Sequence, residues 1–352
     1  MSIFYKLSIK EIQKETENSV SIIFNIPIEL QEKFSFIPGQ YITIKKELNG
    51  EEVRRAYSIC SSLNSGEIKI GVKAVEKGLF SVFATTALKT GDVLEVSAPE
   101  GRFNLNPNKD QQKTYLAFVA GSGITPVLSM VKSVLETETN SKFVLVYGNK
   151  SANTTMFKNE IDNLQAAYPN QLYVQYVFSQ YQEDGTLFGR IDVSVLNFIL
   201  TNRFKELSFD EFFLCGPETM INTIQANLLE KGFSKEDIHF ELFSTKVETE
   251  EVSKTTSLGG EAMVTVILDD EEETFVMDKE KTILEVALTK GLDAPYSCQG
   301  GICNTCLAQV KEGHAVMSKN SILTEAEIKD GLILTCQAHP TSDKITIDFD
   351  DV

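Results

Sequence analysis

The chain changes its hydrophobic rhythm twice. Through the first hundred residues, short runs alternate apolar and polar positions between turn-forming residues: "SVSIIFNI", "GQYITIKKEL", "RRAYSICSS", "GEIKIGVKAV" and "GDVLEVSAPEG". Period-two alternation rich in β-branched side chains, at this spacing, predicts an antiparallel β-barrel. From Thr114 the pattern lengthens. "TYLAFVAGSG" is a continuous apolar run, "TPVLSMVKSVLET" repeats at helical period and "KFVLVYGN" is apolar again, which predicts the βαβ units of a parallel α/β sheet. "ELSFDEFFLCGPETMINTIQANLLEKG" repeats strand, turn and helix.

After "FELFST", the run "KVETEEVSKTTSLGGEA" is polar and charged without apolar period, as expected of a flexible linker. A third, α+β unit follows: strands "AMVTVILDD" and "ETFVMD", helix "TILEVALTKG", a cysteine-rich loop and a closing strand "KITIDFD". The expected boundaries are 1–107 for the barrel, 108–246 for the α/β domain, 247–261 for the linker and 262–352 for the last unit. At 352 residues the chain is long enough for each of the three to bury a core.

Composition adds exclusions. Hydrophobic content of 42% and charged content of 24% are those of an ordinary globular protein. The start "MSIFYKLSIKEIQKE" lacks the pattern of a signal peptide, and no run approaches the roughly 20 apolar residues of a membrane span. A cytoplasmic protein without a membrane partner is expected. The formal net charge is −17, of which −10 falls on residues 262–352, with 17 acidic and 7 basic side chains. Phosphate backbones are repelled by such a surface, which argues against nucleic acid, whereas a basic protein partner is attracted.

Candidate chemistry is densest in "YSCQGGICNTC". Cys298, Cys303 and Cys306 are spaced C-x4-C-x2-C, and Cys336 follows in "ILTCQAHP". In a reducing compartment, clustered cysteines indicate metal or redox chemistry rather than disulfides. Four thiolates suit a [2Fe–2S] cluster, and this spacing is the plant-type ferredoxin signature. A four-cysteine zinc site is the alternative, although such sites usually pair their ligands in two short clips. Gly300 and Gly301 are expected at positive φ, bringing backbone N–H groups toward the sulfurs. His339 is expected in a surface or loop position, because a Rieske centre needs two histidines. Residues 262–352 thus resemble a plant-type ferredoxin domain, which implies a β-grasp fold carrying single electrons at low potential.

Upstream, "RAYSIC" resembles the R-x-Y-S motif of the ferredoxin–NADP⁺ reductase superfamily, with "GVK" and the G-x-x-S turn "GLFS" following in that family's order. The resemblance implies a flavin site. Arg55 would neutralise the flavin pyrophosphate, Tyr57 would stack on or hydrogen-bond to the ribityl chain, and the Ser58 hydroxyl would reach flavin N5. Lys73 lies on the next strand, and Gly78, Leu79, Phe80 and Ser81 open a helix whose amides would hold the phosphate. FAD is expected over FMN, because the motif run resembles the phenylacetyl-CoA epoxidase reductase branch.

The nicotinamide nucleotide has its own candidates. "AGSGITP" offers Gly121, Ser122, Gly123, Thr125 and Pro126 at a strand-to-helix junction, with glycines for close approach of a pyrophosphate and proline in the first helical turn. The G-x-G-x-x-P form departs from the Rossmann fingerprint. In "YGNKS", Asn149, Lys150 and Ser151 would meet the adenosine ribose, where Lys150 and Ser151 hint at NADPH and leave NADH open. "LCGPETM" resembles the C-G-P motif that sets Cys215, Gly216 and Pro217 beside the nicotinamide, and "FELF" resembles the family's E-x-aromatic ending. By that comparison Glu241 would balance proton or charge and Phe243 would cover the flavin. Ser58, Cys215 and Glu241 are the candidate catalytic set.

The order flavin barrel, nucleotide domain, linker, ferredoxin resembles the reductase components of multicomponent oxygenases. It implies a two-to-one electron transformer with FAD, a [2Fe–2S] cluster and NADPH or NADH, serving an oxygenase, hydroxylase or desaturase. A hybrid-cluster protein as acceptor and a non-catalytic redox sensor are the other readings.

Overall fold

The computed structural model describes residues 3–243 and 259–352. Two compact units make up the molecule, one spanning residues 5–243 apart from the short stretch 54–56, the other holding 259–352. The expected linker at 247–261 lies outside the described residues up to position 258.

In the first unit, β1 (Phe4–Thr16), β2 (Ser19–Phe24), β3 (Tyr41–Leu48), β4 (Glu51–Ser58), β5 (Ile68–Lys73) and β6 (Val93–Ser97) form a six-stranded sheet in the order β4-β3-β6-β1-β2-β5, with helix α1 (Leu79–Thr86) between the last two in sequence. An antiparallel bridge from Ile59 to Ile70 joins the end of the β4 run to β5, so the two edges of the sheet meet as a barrel requires. Its alternating apolar positions fill the interior: Leu7, Ile9, Ile22, Phe24, Ile42, Ile44, Ile70 and Val72 are buried. The long β1 shifts register at Ile9/Glu11 and Lys14/Thr16, which lets it bend around that interior.

The same unit continues with β7 (Thr114–Ala120), α2 (Ile124–Thr137), β8 (Lys142–Asn149), α3 (Lys158–Ala167), β9 (Leu172–Phe178), the short β10 (Leu187–Phe188), α4 (Val193–Phe198), β11 (Glu211–Gly216), α5 (Glu218–Glu230) and β12 (Ile238–Leu242). The sheet order is β10-β9-β8-β7-β11-β12, parallel throughout. Central strands covered on both faces must be apolar at every position, which explains the continuous runs in the sequence. The order reverses at β7, so the carboxyl ends of β7 and β11 flank a crevice of the kind that holds ligands in open α/β sheets.

In the second unit, β13 (Glu261–Leu268), β14 (Glu271–Asp278), α6 (Ile283–Thr289), β15 (Leu307–Glu312), β16 (Ala315–Met317), α7 (Glu325–Lys329), β17 (Leu332–Leu334), β18 (Ala338–Pro340) and β19 (Lys344–Asp348) build a five-stranded sheet, β14-β13-β19-β15-β17, and a two-stranded ribbon of β16 with β18. Strands β13 and β19 run parallel and the other neighbours antiparallel. Helix α6 is buried through Ile283, Leu284, Val286 and Ala287, and the cysteine loop connects it to β15.

Candidate functional site

Strand β4 ends where the barrel meets the parallel sheet. Its residue Ser58 is buried, while Tyr57 is half-buried and Arg55 exposed. The Arg55 Nη1 donates to the Arg54 carbonyl at 2.7 Å. The Tyr57 ring leans on Phe80 with centroids 5.5 Å apart. Phe80 itself is buried in the barrel core, so its side chain supports Tyr57 and only its backbone N–H faces the helix start. Gly78 is the N-cap of α1, where an added Cβ would lie 2.4 Å from Ser81 Oγ and 2.6 Å from Val75 Cγ2, so that a larger residue must displace both side chains. The Ser81 hydroxyl accepts from the Val75 N–H at 3.2 Å and so braces the turn. The first-turn amides of a helix lack intrahelical partners and suit an anion, and at the start of α1 these are the amides of Leu79, Phe80 and Ser81.

Across the crevice, Gly121, Ser122 and Gly123 form one tight turn between β7 and α2. The two glycines meet different surroundings. Gly121 takes φ +58° and has open space where a Cβ would sit, whereas a Cβ on Gly123 would meet the Cys215 carbonyl oxygen at 2.4 Å. Gly123 therefore admits the close approach of strand β11. Thr125 Oγ1 donates to the Ser122 carbonyl at 3.0 Å, and Pro126 is buried in the first turn of α2. Tyr147, which carries no functional signal in the sequence, donates to the Gly121 carbonyl at 3.0 Å and fixes the turn.

Parallel register sets Cys215 opposite Glu241 on β12. Burial, and next the Glu241 charge, push the Cys215 thiol well above its ordinary value, so it stays protonated. Ser58 Oγ donates to Glu241 Oε2 at 3.5 Å. Ser58, Cys215 and Glu241, distant in sequence, thus share one end of the sheet beside the Gly121–Gly123 turn. Gly216 packs with its Cα face against Ala120 and Met220, and Pro217 caps α5. Phe243 is half-buried against the core of the parallel sheet.

At the next strand end, the Ser179 and Gln180 amides donate to the Asn149 and Lys150 carbonyls, each at 3.0 Å, joining the β8 and β9 loops. The Asn149 side chain sits at the end of β8 beside the Tyr147 hydroxyl, and its hydrogen bond there opposes the upward push that burial gives the Tyr147 pKa. Ser151 is already engaged, capping the turn that follows with Thr154. Lys150 is exposed, and its charge reaches Lys73: burial first and Lys150 second lower the Lys73 pKa.

In the second unit the four cysteines converge. Cys303 Sγ lies 3.1 Å from Cys298 Sγ, Cys298 also contacts Cys336, and Cys336 contacts Cys306. Among the described residues, no three or more histidine, cysteine, aspartate or glutamate side chains surround a single metal-ion position; the sulfurs meet as a chain. Cys303 is pushed well up by its hydrogen bond with Cys298 and then by burial. At Cys336 the hydrogen bond with Cys298 pulls downward, but that with Cys306 and burial outweigh it, leaving the thiol pushed up to about 12. Backbone amides oppose this trend, with Gly300 donating to Cys298 at 3.4 Å, Ile302 to the same sulfur and Gly301 to Cys336. Crowded thiols ringed by amide donors fit a group that binds them as thiolates. Positive φ falls on Gly301 and on Gln299, and not on Gly300 as the sequence suggests. A Cβ on Gly301 would meet the Lys319 carbonyl at 2.7 Å. His339 lies half-buried in β18, opposite Val316, rather than in a loop.

A flavin-type barrel, a pyridine-nucleotide sheet and a four-cysteine loop define an oxidoreductase that moves electrons from NAD(P)H through FAD to a [2Fe–2S] centre. Residues 6–105 match the oxidoreductase FAD-binding domain family, 118–226 the oxidoreductase NAD-binding domain family and 266–341 the 2Fe-2S iron-sulfur cluster binding domain family. The chain belongs to the family of oxygenase reductase components, and it shares 38% identity, over 99% of both chains, with one of the subunits of the 1,2-phenylacetyl-CoA epoxidase of Escherichia coli K12. The ferredoxin reductase component of the Rhodococcus rhodochrous 3-ketosteroid-9-alpha-monooxygenase is 33% identical over 97% of this chain and 96% of that one. The solved phthalate dioxygenase reductase shares the fold, with a TM-score of 0.59 and 23% identity over 98% of each chain. No helix among the described residues is long and apolar enough to cross a membrane.

Proposed function

We propose that this reductase serves a multicomponent oxygenase of the phenylacetyl-CoA epoxidase type, and that Ser58, Cys215 and Glu241 shape its hydride-transfer site. The observation that carries this reading is their convergence beside the Gly121–Gly123 turn. Bound flavin supplies the change from two-electron to one-electron chemistry, and the cluster supplies single-electron delivery.

The chain's own residues bind, orient and exclude. Arg55, Lys73 and the Leu79–Ser81 amides would hold the flavin phosphates, and Tyr57 would stack on or hydrogen-bond to the ribityl chain. Ser58 presents its hydroxyl to the reacting edge, with Glu241 accepting from it. Cys215, kept neutral, packs where the nicotinamide ring lies, so the ring meets a soft uncharged surface. Asn149 and Lys150 hold the adenosine end. Phe243 would cover the flavin ring. Cys298, Cys303, Cys306 and Cys336 ligate the cluster. The acidic ferredoxin unit, with 17 acidic against 7 basic side chains in residues 262–352, receives a basic acceptor surface.

Anaerobic titration of the holoprotein with NADPH and separately NADH tests the scheme. Flavin bleaching should be followed by the rhombic paramagnetic signal of a reduced [2Fe–2S] centre. Bleaching with a cluster that stays oxidised, or zinc in place of iron and acid-labile sulfide, refutes it.

A further inference from the structure

Helix α2 carries three buried polar side chains that the hydride-transfer scheme leaves unassigned. Ser129 and Ser133 are fully buried and Lys132 is 8% exposed. Offsets of three and four residues put them on one helix face. All three bond the backbone of the segment directly after Ser58. Ser129 Oγ donates to the Ser61 carbonyl at 2.7 Å, Lys132 Nζ donates to the Cys60 carbonyl at 2.9 Å, and the Leu63 N–H donates to Ser133 Oγ at 2.9 Å. The Lys132 ammonium also pairs with Glu160 of α3. Glu160 is in turn 3.5 Å from Lys69 on β5, and Lys69 is 3.9 Å from Glu15 on β1.

Burying a charge and two hydroxyls is costly, and replacing a buried ion pair by apolar side chains is often neutral or stabilising. Stability alone therefore does not account for the arrangement. Its geometry does. Helix α2 starts at the turn that contacts Cys215, while Cys60 lies two residues beyond Ser58 on the barrel side. The three side chains tie the two together and oppose rotation or sliding of the helix relative to the Ser58 strand end.

We propose that Lys132, with Ser129 and Ser133, is a positioning group for hydride transfer, locking the nicotinamide-side turn to the flavin-side strand. The proposal rests on the reading of Ser58, Cys215 and Glu241 as the transfer site. It assigns Lys132 no contact with coenzyme or flavin. Removing it should leave nucleotide affinity intact and disturb only the alignment.

The test uses the flavin- and cluster-loaded protein and its variants Lys132→Met, Lys132→Arg and Ser133→Ala. Anaerobic stopped-flow mixing with NADPH and NADH gives the nucleotide Kd and the limiting rate of flavin reduction separately. The long-wavelength charge-transfer absorbance formed when oxidised nucleotide is added to reduced protein reports ring alignment directly. Lys132→Met should slow the limiting rate about tenfold, in line with the steep distance dependence of aligned reactions, and weaken the charge-transfer band, with Kd unchanged. Lys132→Arg should restore most of both. Unchanged rate and band in Lys132→Met overturn the proposal, as does a loss confined to thermal stability. Should Lys132→Met fail to fold or to retain flavin, Ser133→Ala carries the test, with a slower limiting rate and a weaker band expected and wild-type values overturning the clamp. Wild-type protein whose flavin neither coenzyme reduces overturns the transfer-site reading, and the clamp with it; normal wild-type reduction with no change in any variant overturns the clamp alone.

Discussion

Replacing Gly123 by alanine isolates the contact between the two halves of the nicotinamide site. The residue sits at φ −60°, ψ −7°, a conformation alanine adopts freely, so the substitution carries no backbone strain of its own. What it adds is one carbon, 2.4 Å from the Cys215 carbonyl oxygen, 2.7 Å from its carbonyl carbon and 3.1 Å from its sulfur. Non-bonded carbons prefer roughly 3.5–4.0 Å, so the start of α2 and the end of β11 must separate by about 1 Å. The obstructing atoms are backbone and cannot rotate away. Overpacking of this kind costs roughly 1–3 kcal/mol, visible as a fall in Tm. Catalysis should suffer more, because misplacing reacting groups by about 1 Å can cost 100-fold. The assay is anaerobic stopped-flow reduction of the flavin, read at 450 nm over a range of NADPH concentrations. Gly121→Ala is the control, since its Cβ enters open space and meets only the penalty of positive φ. Gly123→Ala with wild-type Tm and wild-type limiting rate would show that the close approach of Gly123 to Cys215 has no part in building the site.

Three other outcomes follow from the same structure. Lys150→Glu exchanges an attraction for a repulsion at an exposed position, each worth roughly 1 kcal/mol, so kcat/KM for NADPH should fall about 30-fold with NADH much less affected; equal losses for both would remove Lys150 from coenzyme selection. Cys336→Ser should abolish iron and acid-labile sulfide and with them cytochrome c reduction, while flavin-level ferricyanide reduction by NADPH persists; a protein that keeps its full iron content would exclude Cys336 as a ligand. Glu211 accepts from His239 and Lys113, and the His239 hydrogen bond, ahead of the Lys113 interactions, holds its carboxyl below the ordinary value of 4.5. A depressed carboxylate stabilises the fold above its unfolded pKa and loses that contribution as pH falls through the folded value. Glu211→Gln should therefore lower stability by about 1–2 kcal/mol at pH 7, with the difference shrinking below pH 4.5 in chemical denaturation; a gap that persists in acid would contradict the linkage.

The parts of the site built from glycine, proline and cysteine were legible in the sequence because backbone geometry and metal chemistry restrict those positions to few residue types. The cysteine spacing, the "GSGITP" turn and the Gly78 cap all fall where the pattern puts them. The assignments of work within those motifs were less legible. Gly123 meets Cys215, which comes from far along the chain, and the Ser81 hydroxyl is engaged within its own turn by the Val75 N–H. Gln299 takes a positive φ that its residue type does not signal, and its carbonyl accepts from the distant Gln337 side chain at 3.0 Å. Strand β1 escaped the pattern because its burial alternates only in places and its register shifts twice. Lys132 was hidden for the opposite reason. A lysine between serines on a helix reads as a solvated stripe, and only the barrel segment packed over it turns that stripe inward.

Strand β14 occupies the outer border of the ferredoxin sheet, and three of its first positions, Glu271, Glu272 and Glu273, are exposed glutamates. An open border offers bare peptide groups to any passing extended chain, and neighbouring like charges make that annexation unfavourable. A second copy aligned along the same border would place six carboxylates side by side. The charged border thus disfavours edge-to-edge pairing of two ferredoxin sheets along β14.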